Sequence, residues 1–426
     1  MYALLQPRIH DSMRSMMDND YAARTELFGR HTNRAYVQFI KRMGFEINVK
    51  TAQGALVFGV DGKRYIDCIA GYGNCVLGHN DPTVTNAVID ELRSPRPYNL
   101  PFIHEVQTQL ARTLVEMAPG ELECCFFVNS GSEAVETALK LARLSTGKPG
   151  VVCMRGAWHG FTAGCMSVSE PSMWKTFAPL LDQVTHVPYN DAPAVEAAIN
   201  ERVGCVIVEP IQAENGAIVP APGYLKSLEE VCKRRGILLL VDEVKTGIAK
   251  TGKLFACQHD NVVPDILITG KALGGGVMPI GGVVAKRDVW SKFGLSFPMS
   301  SSSGAGNAPA CAAALATLRA VEAEKLCEHA SRKGELLRAG LRDLVTGFPQ
   351  IILKVSGVGL LLGLHVTSMK CASDIVARCA GEGVLVMNAF CDRTKILIEP
   401  PAVIATEDIG EVIRVLTRAV AACANA

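Results

Sequence analysis

Ile237–Gly247, ILLLVDEVKTG, and Ile266–Gly276, ILITGKALGGG, decide how this chain folds. Each is a short run of branched apolar residues without polar alternation, stopped abruptly by a charged side chain. Such a run is a strand buried on both faces, the situation inside a parallel sheet covered by helices. Upstream, Glu123–Val128, Gly150–Met154 and Cys205–Glu209 repeat the pattern, and helical stretches stand at Pro82–Leu92 and Val106–Met117. Strand, helix, strand, continued to about residue 290, predicts an α/β fold with a mostly parallel sheet between helices.

Outward from that sheet the pattern changes. Residues 1–40 are polar, Met-rich and irregular, with helix expected around Tyr21–Met43. Two alternating runs, Ala55–Val60 and Arg64–Cys68, flank Asp61-Gly62 and predict a hairpin. Beyond the sheet come helices at Ala308–Glu324 and Ala330–Val345, then strands at Leu353–Val358 and Leu361–Val366. Helices at Ala372–Glu382 and from Thr406 to Ala424 complete a smaller α+β unit. The expected division is an arm and part of a small domain over 1–75, a large domain over 76–320 and the rest of the small domain over 321–426.

Composition narrows the function. The 426 residues are 49% hydrophobic and 20% charged, enough apolar material for a large core. A net charge of +1 and the lack of long Lys/Arg runs argue against nucleic acid as partner. No apolar run reaches the ~20 residues of a membrane helix. The start lacks the basic and apolar regions of a signal peptide. The 15 cysteines show neither CxxC pairs nor His clusters with metal-ligand spacing, so no metal is expected and core thiols in a reducing, cytoplasmic setting are.

Four motifs carry chemistry. Ser130-Gly131-Ser132-Glu133-Ala134 follows a strand and opens a helix, where backbone N–H groups and the helix dipole favour a phosphate. The same Ser-x-x-Glu is an ordinary helix cap, and both readings stand. Trp158-His159-Gly160 follows Gly150–Met154 and offers a flat face to a heteroaromatic ring, or simply closes the core. Asp242 ends a strand where α/β sheets place ligands; its buried carboxylate needs a partner, such as a protonated ring nitrogen, unless it caps a helix. Lys271, between a buried strand and Gly274–Gly276, is a desolvated amine suited to nucleophilic attack or to binding phosphate. Phosphate cradle, aromatic face, carboxylate and lysine together are the parts pyridoxal phosphate requires.

With these residues in place, the chain resembles the class III, or ω-type, pyridoxal-phosphate aminotransferases of fold type I, from about Phe45 to its C-terminus. The resemblance rests on Gly78-His79, Asn129–Ala134, the triplet at Trp158, Glu209-Pro210-Ile211-Gln212, Asp242-Glu243-Val244-Lys245-Thr246-Gly247 and Lys271 with its glycines. In Gly252–Gly282 it is most similar to putrescine and other diamine aminotransferases. The resemblance implies that Ser130, Gly131 and Ser132 hold the phosphate and that Trp158 and Val244 flank the ring. It further implies that His159 and Glu209 belong to the cofactor site, that Asp242 pairs with the ring nitrogen and that Lys271 carries the cofactor. It implies a homodimer with shared sites, because the family's phosphate-binding Thr comes from the partner subunit. Here that position is Ser303, with Ser302 beside it in the run Ser300–Ser303.

Departures from the family pattern bear on the substrate. Lys245 stands where relatives often place Gln beside the cofactor's phenolic oxygen, either as a cation there or turned to solvent. Phe161 and Leu397 occupy the positions of two carboxylate-binding arginines. Glu214, the acid that gates the second arginine in the family, is expected to be solvated or free for a cationic substrate. The expectation is therefore an aminotransferase acting on diamines, polyamines or amino sugars, such as those of antibiotic pathways, with an oxo-acid or aldehyde partner. Two rivals are an aminomutase or epimerase on the same scaffold and a protein that only binds the cofactor; an ω-amino acid is the rival substrate.

Overall fold

A computed structural model describes residues 21–99, 102–293 and 302–424. Seven strands form the central sheet: β4 (Cys124–Val128), β5 (Gly150–Met154), β6 (Val184–Val187), β7 (Val203–Val208), β8 (Leu238–Asp242), β9 (Ile266–Thr269) and β10 (Gly281–Ala285). Their order is β4-β10-β9-β8-β7-β5-β6. β5 to β9 are mutually parallel, and β10 alone runs antiparallel, between β4 and β9. The fold is the α/β class that the apolar runs predict, with two strands, β6 and β10, that they do not announce. Val184–Val187 carries Thr185 and His186, and Gly281–Ala285 opens on two glycines, so neither shows a continuous branched run.

Successive residues of the central strands serve opposite faces. Leu239, Val241 and Leu267 join one apolar cluster, whereas Leu240, Ile266 and Ile268 join a second. The helix Gly131–Thr146 covers the second face with Ala134, Val135, Ala138 and Leu141. Helices Glu105–Met117, Tyr224–Arg235 and Ala308–Ala323 supply the first. Burial on both sides is the reason the sequence reads as unbroken apolar runs.

The predicted hairpin is present as β2 (Leu56–Gly59) and β3 (Arg64–Asp67), preceded by β1 (Val49–Gln53). β13 (Val384–Leu385) joins this sheet parallel to β3, across more than three hundred residues of chain. β11 (Ile352–Val358), β12 (Leu361–Val366), β15 (Lys395–Ile398) and β14 (Met387–Asn388) form a third sheet, in that order. The helix expected around Tyr21–Met43 is interrupted: Tyr21–Phe28 and Arg34–Arg42 are joined by a π-helical turn at Gly29–Asn33. Asn33 caps the second segment by accepting from the Tyr36 N–H.

The expectation of free thiols throughout fails at one pair. Cys371 and Cys423 form a disulfide where the helices Met369–Gly381 and Thr406–Ala424 pack together, while the other thirteen cysteines are free. Spacing in sequence cannot reveal this pair, because only helix packing brings the two together. No helix among the described residues is long and apolar enough to cross a membrane.

Candidate active site

The strand ends bring the four motifs into one cleft. Asn129 and Ser130 follow β4, Trp158 and His159 follow β5, and Glu209 follows β7. Asp242 ends β8, and Lys271 stands just past β9. All five strands point the same way, so their C-terminal ends share one edge of the sheet, where such folds bind ligands. The resulting cleft, of about 160 Å³, is lined by Ser130, Ser132, Trp158, Phe161, Glu214 and Asp242, among others. Val244, Lys245 and Lys271 complete its wall.

Asp242 is fixed from two sides. Its Oδ2 lies 2.7 Å from His159 Nδ1, and its Oδ1 accepts the Val244 N–H at 3.0 Å. Burial pulls the His159 imidazole down, but the hydrogen bond and charge of Asp242 outweigh it and the pKa rises. His159 Nε2 is buried without a partner among the described residues. Glu209 accepts the Trp158 N–H at 2.8 Å and so anchors the aromatic loop. Burial pushes its carboxyl up to about 7, against the opposing pull of His159.

At the phosphate end the cap reading holds for one hydroxyl. Ser130 Oγ accepts the Glu133 N–H at 3.2 Å, while Glu133 reaches back to the Asn129 N–H at 2.7 Å. Ser132 Oγ accepts the Phe161 N–H at 3.3 Å and so ties the helix start to the aromatic loop. A Cβ on Gly131 would lie 2.7 Å from Val244 Cγ1, so this floor admits no side chain. Ser302 Oγ accepts from Asn129 Nδ2 at 2.7 Å within the same chain, and Ser303 is exposed. Ser300 and Ser301 lie outside the described residues.

Lys271 is half-buried and has a backbone φ of +41°, a left-handed conformation that costs a non-glycine residue on the order of 1 kcal/mol. The turn holds it there through the Leu273 N–H to the Gly270 carbonyl, 2.9 Å. Its amine has no hydrogen bond among the described residues, and burial, then the charge of Lys245, lowers its pKa. Trp158 stacks on Phe390 with centroids 5.2 Å apart and planes 14° apart. Phe161, 65% exposed, meets Trp158 edge-on at 4.9 Å, so the family's first arginine position is an aromatic rim. Leu397 is a core residue of β15.

Of the two alternatives for Lys245 the solvent one falls, and the expectation for Glu214 is corrected. Lys245 is not turned to solvent: it is buried and donates to Glu399 Oε1 at 2.8 Å, to Glu214 Oε1 at 3.1 Å and to the Tyr72 carbonyl at 3.2 Å. Glu214 is therefore neither solvated nor free, because Lys245 replaces the missing arginine as its partner. Burial lowers the Lys245 ammonium's affinity for its proton, but the two carboxylates reverse this and raise it. Burial raises the Glu214 carboxyl, and the charges of Lys245 and Lys271 bring it below its ordinary range. Glu399 escaped the sequence reading. Its signal was a carboxylate wedged between Lys395–Ile398 and Pro400-Pro401, at the end of an otherwise apolar strand.

The fixed acid, the lysine without a hydrogen bond and the glycine floor fit pyridoxal phosphate, and the comparisons agree. Residues 39–420 match the family model for aminotransferase class-III. Ornithine aminotransferase from Toxoplasma gondii ME49 is 31% identical, with a TM-score of 0.82 over 88% of this chain and 90% of that one. A transaminase from the marine bacterium Virgibacillus is 25% identical, with a TM-score of 0.88 over 95% and 99%. A 6-fold mutant of the thermostable omega transaminase from Pseudomonas jessenii is 26% identical, with a TM-score of 0.82 over 88% and 92%. The chain belongs to the class III aminotransferases. It is a pyridoxal-phosphate-dependent enzyme of fold type I.

Proposed function

We propose that this aminotransferase moves an amino group between a primary amine bearing a second positive charge and an oxo-acid or aldehyde. A diamine, a polyamine or an amino sugar has that chemistry. One observation carries the reading: Lys245, the only cation in an ion pair with Glu214 among the described residues, is shared with a second carboxylate, Glu399, leaving the trio with one net negative charge. No arginine lines the cleft among the described residues, so an α-carboxylate lacks the bidentate clamp that guanidinium provides. The aromatic rim of Trp158, Phe161 and Phe390 suits a cation as well, through the negative faces of its rings.

Bound pyridoxal phosphate supplies a carbonyl for the amine and a sink for the electrons of the broken C–H bond. The chain's own residues do the rest. The helix start at Gly131 and Ser132 binds the phosphate through backbone N–H groups and dipole. Asp242, locked by His159 and the Val244 N–H, keeps a proton on the ring nitrogen. Lys271 carries the cofactor and afterwards moves the proton as general base and acid; its lowered pKa keeps a larger share of neutral amine for that task. Trp158 and Val244 exclude water from the two ring faces.

A rate ladder tests the substrate. Diamines should exceed ω-amino acids of equal length in kcat/KM by about tenfold, the worth of one charge-assisted contact. Faster turnover of γ-aminobutyrate or ornithine overturns the reading, and amine conversion without consumption of a separate donor favours an isomerase. We further infer a homodimer with shared sites, in which exposed Ser303 reaches the partner's phosphate. Mixing inactive Lys271→Ala subunits with inactive Ser302→Ala/Ser303→Ala subunits should then restore part of the activity; an active monomer contradicts it.

A further inference from the structure

Glu399 is the charged residue at this site that no motif accounts for. It is 1% exposed, and its Oε1 lies 2.8 Å from the Lys245 ammonium. Its Oε2 is buried with no hydrogen-bond partner among the described residues. Lys250 is close but donates to the backbone carbonyls of Glu399 and Pro400, at 2.8 and 3.1 Å, not to the carboxylate. Gly73, with φ +86°, closes the other side: a Cβ there would sit 3.3 Å from Glu399 Oε2 and 3.4 Å from Lys245 Cδ. The backbone is thus shaped around this ion pair, and Lys245 is the only ionic partner Glu399 has among the described residues.

Lys245 and Lys271 line the same cleft. The charged groups around the Lys271 amine are Lys245, Glu214, Asp242 and Glu399. Behind them, Asp242 is bonded to His159, the Tyr72 carbonyl is bonded to Lys245, and Lys250 has Cys75 and Asp67 as further neighbours. Two like charges near one another in a buried site each disfavour the other's charged form. An acid that neutralises one of them relieves the second.

We propose that Glu399 is a positioning residue for transamination: it holds the Lys245 ammonium against Glu214 and offsets its charge at the Lys271 nitrogen, which must gain and lose a proton in each cycle. This rests on Lys271 as the cofactor-bearing residue. The signs follow from the charges. Removing the Glu399 charge leaves Lys245 less compensated and makes the Lys271 nitrogen a poorer proton acceptor. Removing Lys245 makes it a better one. With Lys245 gone, the buried Glu399 has lost its ion-pair partner and takes up a proton, so its own removal then matters little.

The experiment is a pH titration of the cofactor's visible absorbance in the holoenzyme, with melting of each apoprotein alongside. Glu399→Gln should lower the midpoint by about one pH unit, a tenfold loss of proton affinity. Lys245→Gln should raise it, and Glu399→Gln added to Lys245→Gln should shift it by less than about a third as much as in the wild-type background. An unchanged or higher midpoint in Glu399→Gln overturns the proposal, as does an equal shift in both backgrounds. If Glu399→Gln does not take up cofactor, Lys245→Gln carries the test: a midpoint that stays or falls overturns it. Borohydride trapping separates the two failures. Label on Lys271 with no midpoint shift defeats the role of Glu399 alone, and label on Lys245 defeats the underlying reading.

Discussion

The end of the cleft proposed for the cofactor and the end proposed for the substrate are both charged and both buried, yet they are assembled by different means. At the cofactor end, each group stands at the end of its own strand, and its main partner is set by the sheet. Asp242 and His159 meet because β8 and β5 flank β7 and all three end on one edge. At the substrate end, Lys245, Glu214 and Glu399 come from a turn after β8, a loop after β7 and the end of β15 in the third sheet. Tyr72, at φ +60° in an irregular turn, gives the remaining acceptor. The first arrangement follows from one sheet's topology. The second exists only because two sheets and a loop converge.

Breaking the cofactor end should cost most. In the role proposed for it, Asp242 keeps the ring nitrogen protonated; Asp242→Asn removes that charge, and transamination should fall by on the order of 10³ or more. Single-turnover rates with saturating cofactor measure it; near-full turnover would take Asp242 out of the mechanism.

Glu209 sharpens the comparison through stability. Its folded pKa of about 7 lies above the ordinary glutamate value of about 4.3, so the folded state binds the proton more tightly. Between those values the unfolded chain has lost a proton that the folded one keeps, and stability falls as pH rises through that window. Glu209→Gln, which still accepts the Trp158 N–H, should escape this loss. Denaturant titrations of the apoprotein at about pH 5 and about pH 8 should show the wild type losing about 2 kcal/mol more than the variant. Equal losses would mean that Glu209 is not a protonated buried acid at the lower pH.

The smallest effect belongs to the substrate end. Glu214→Gln leaves Lys245 with Glu399 and takes one negative charge from the cleft wall. Diamines should lose about tenfold in kcat/KM against simple monoamines, and the ratio between the two classes is the measurement. An equal loss for all amines would place the effect in the Lys245 network and not in substrate recognition.

The local chemistry of this protein is written in consecutive residues. Unbroken apolar runs ending in Asp242 and just before Lys271, and a Ser-Gly-Ser at a helix start, define a two-faced sheet with polar groups along one edge. Burial on both faces forces that pattern, so a single pass along the chain recovers it. Among the strands it misses are β6, broken by Thr185 and His186, β10, opening on paired glycines, and the two-residue strands of the smaller sheets. Partnership across distance is another matter. That Lys245 neutralises Glu214, that Glu399 completes the trio and that Cys371 meets Cys423 depend on which surfaces pack together. A charge reveals in sequence that it needs a partner once buried, but its partner is chosen by geometry, and only the tertiary structure supplies that.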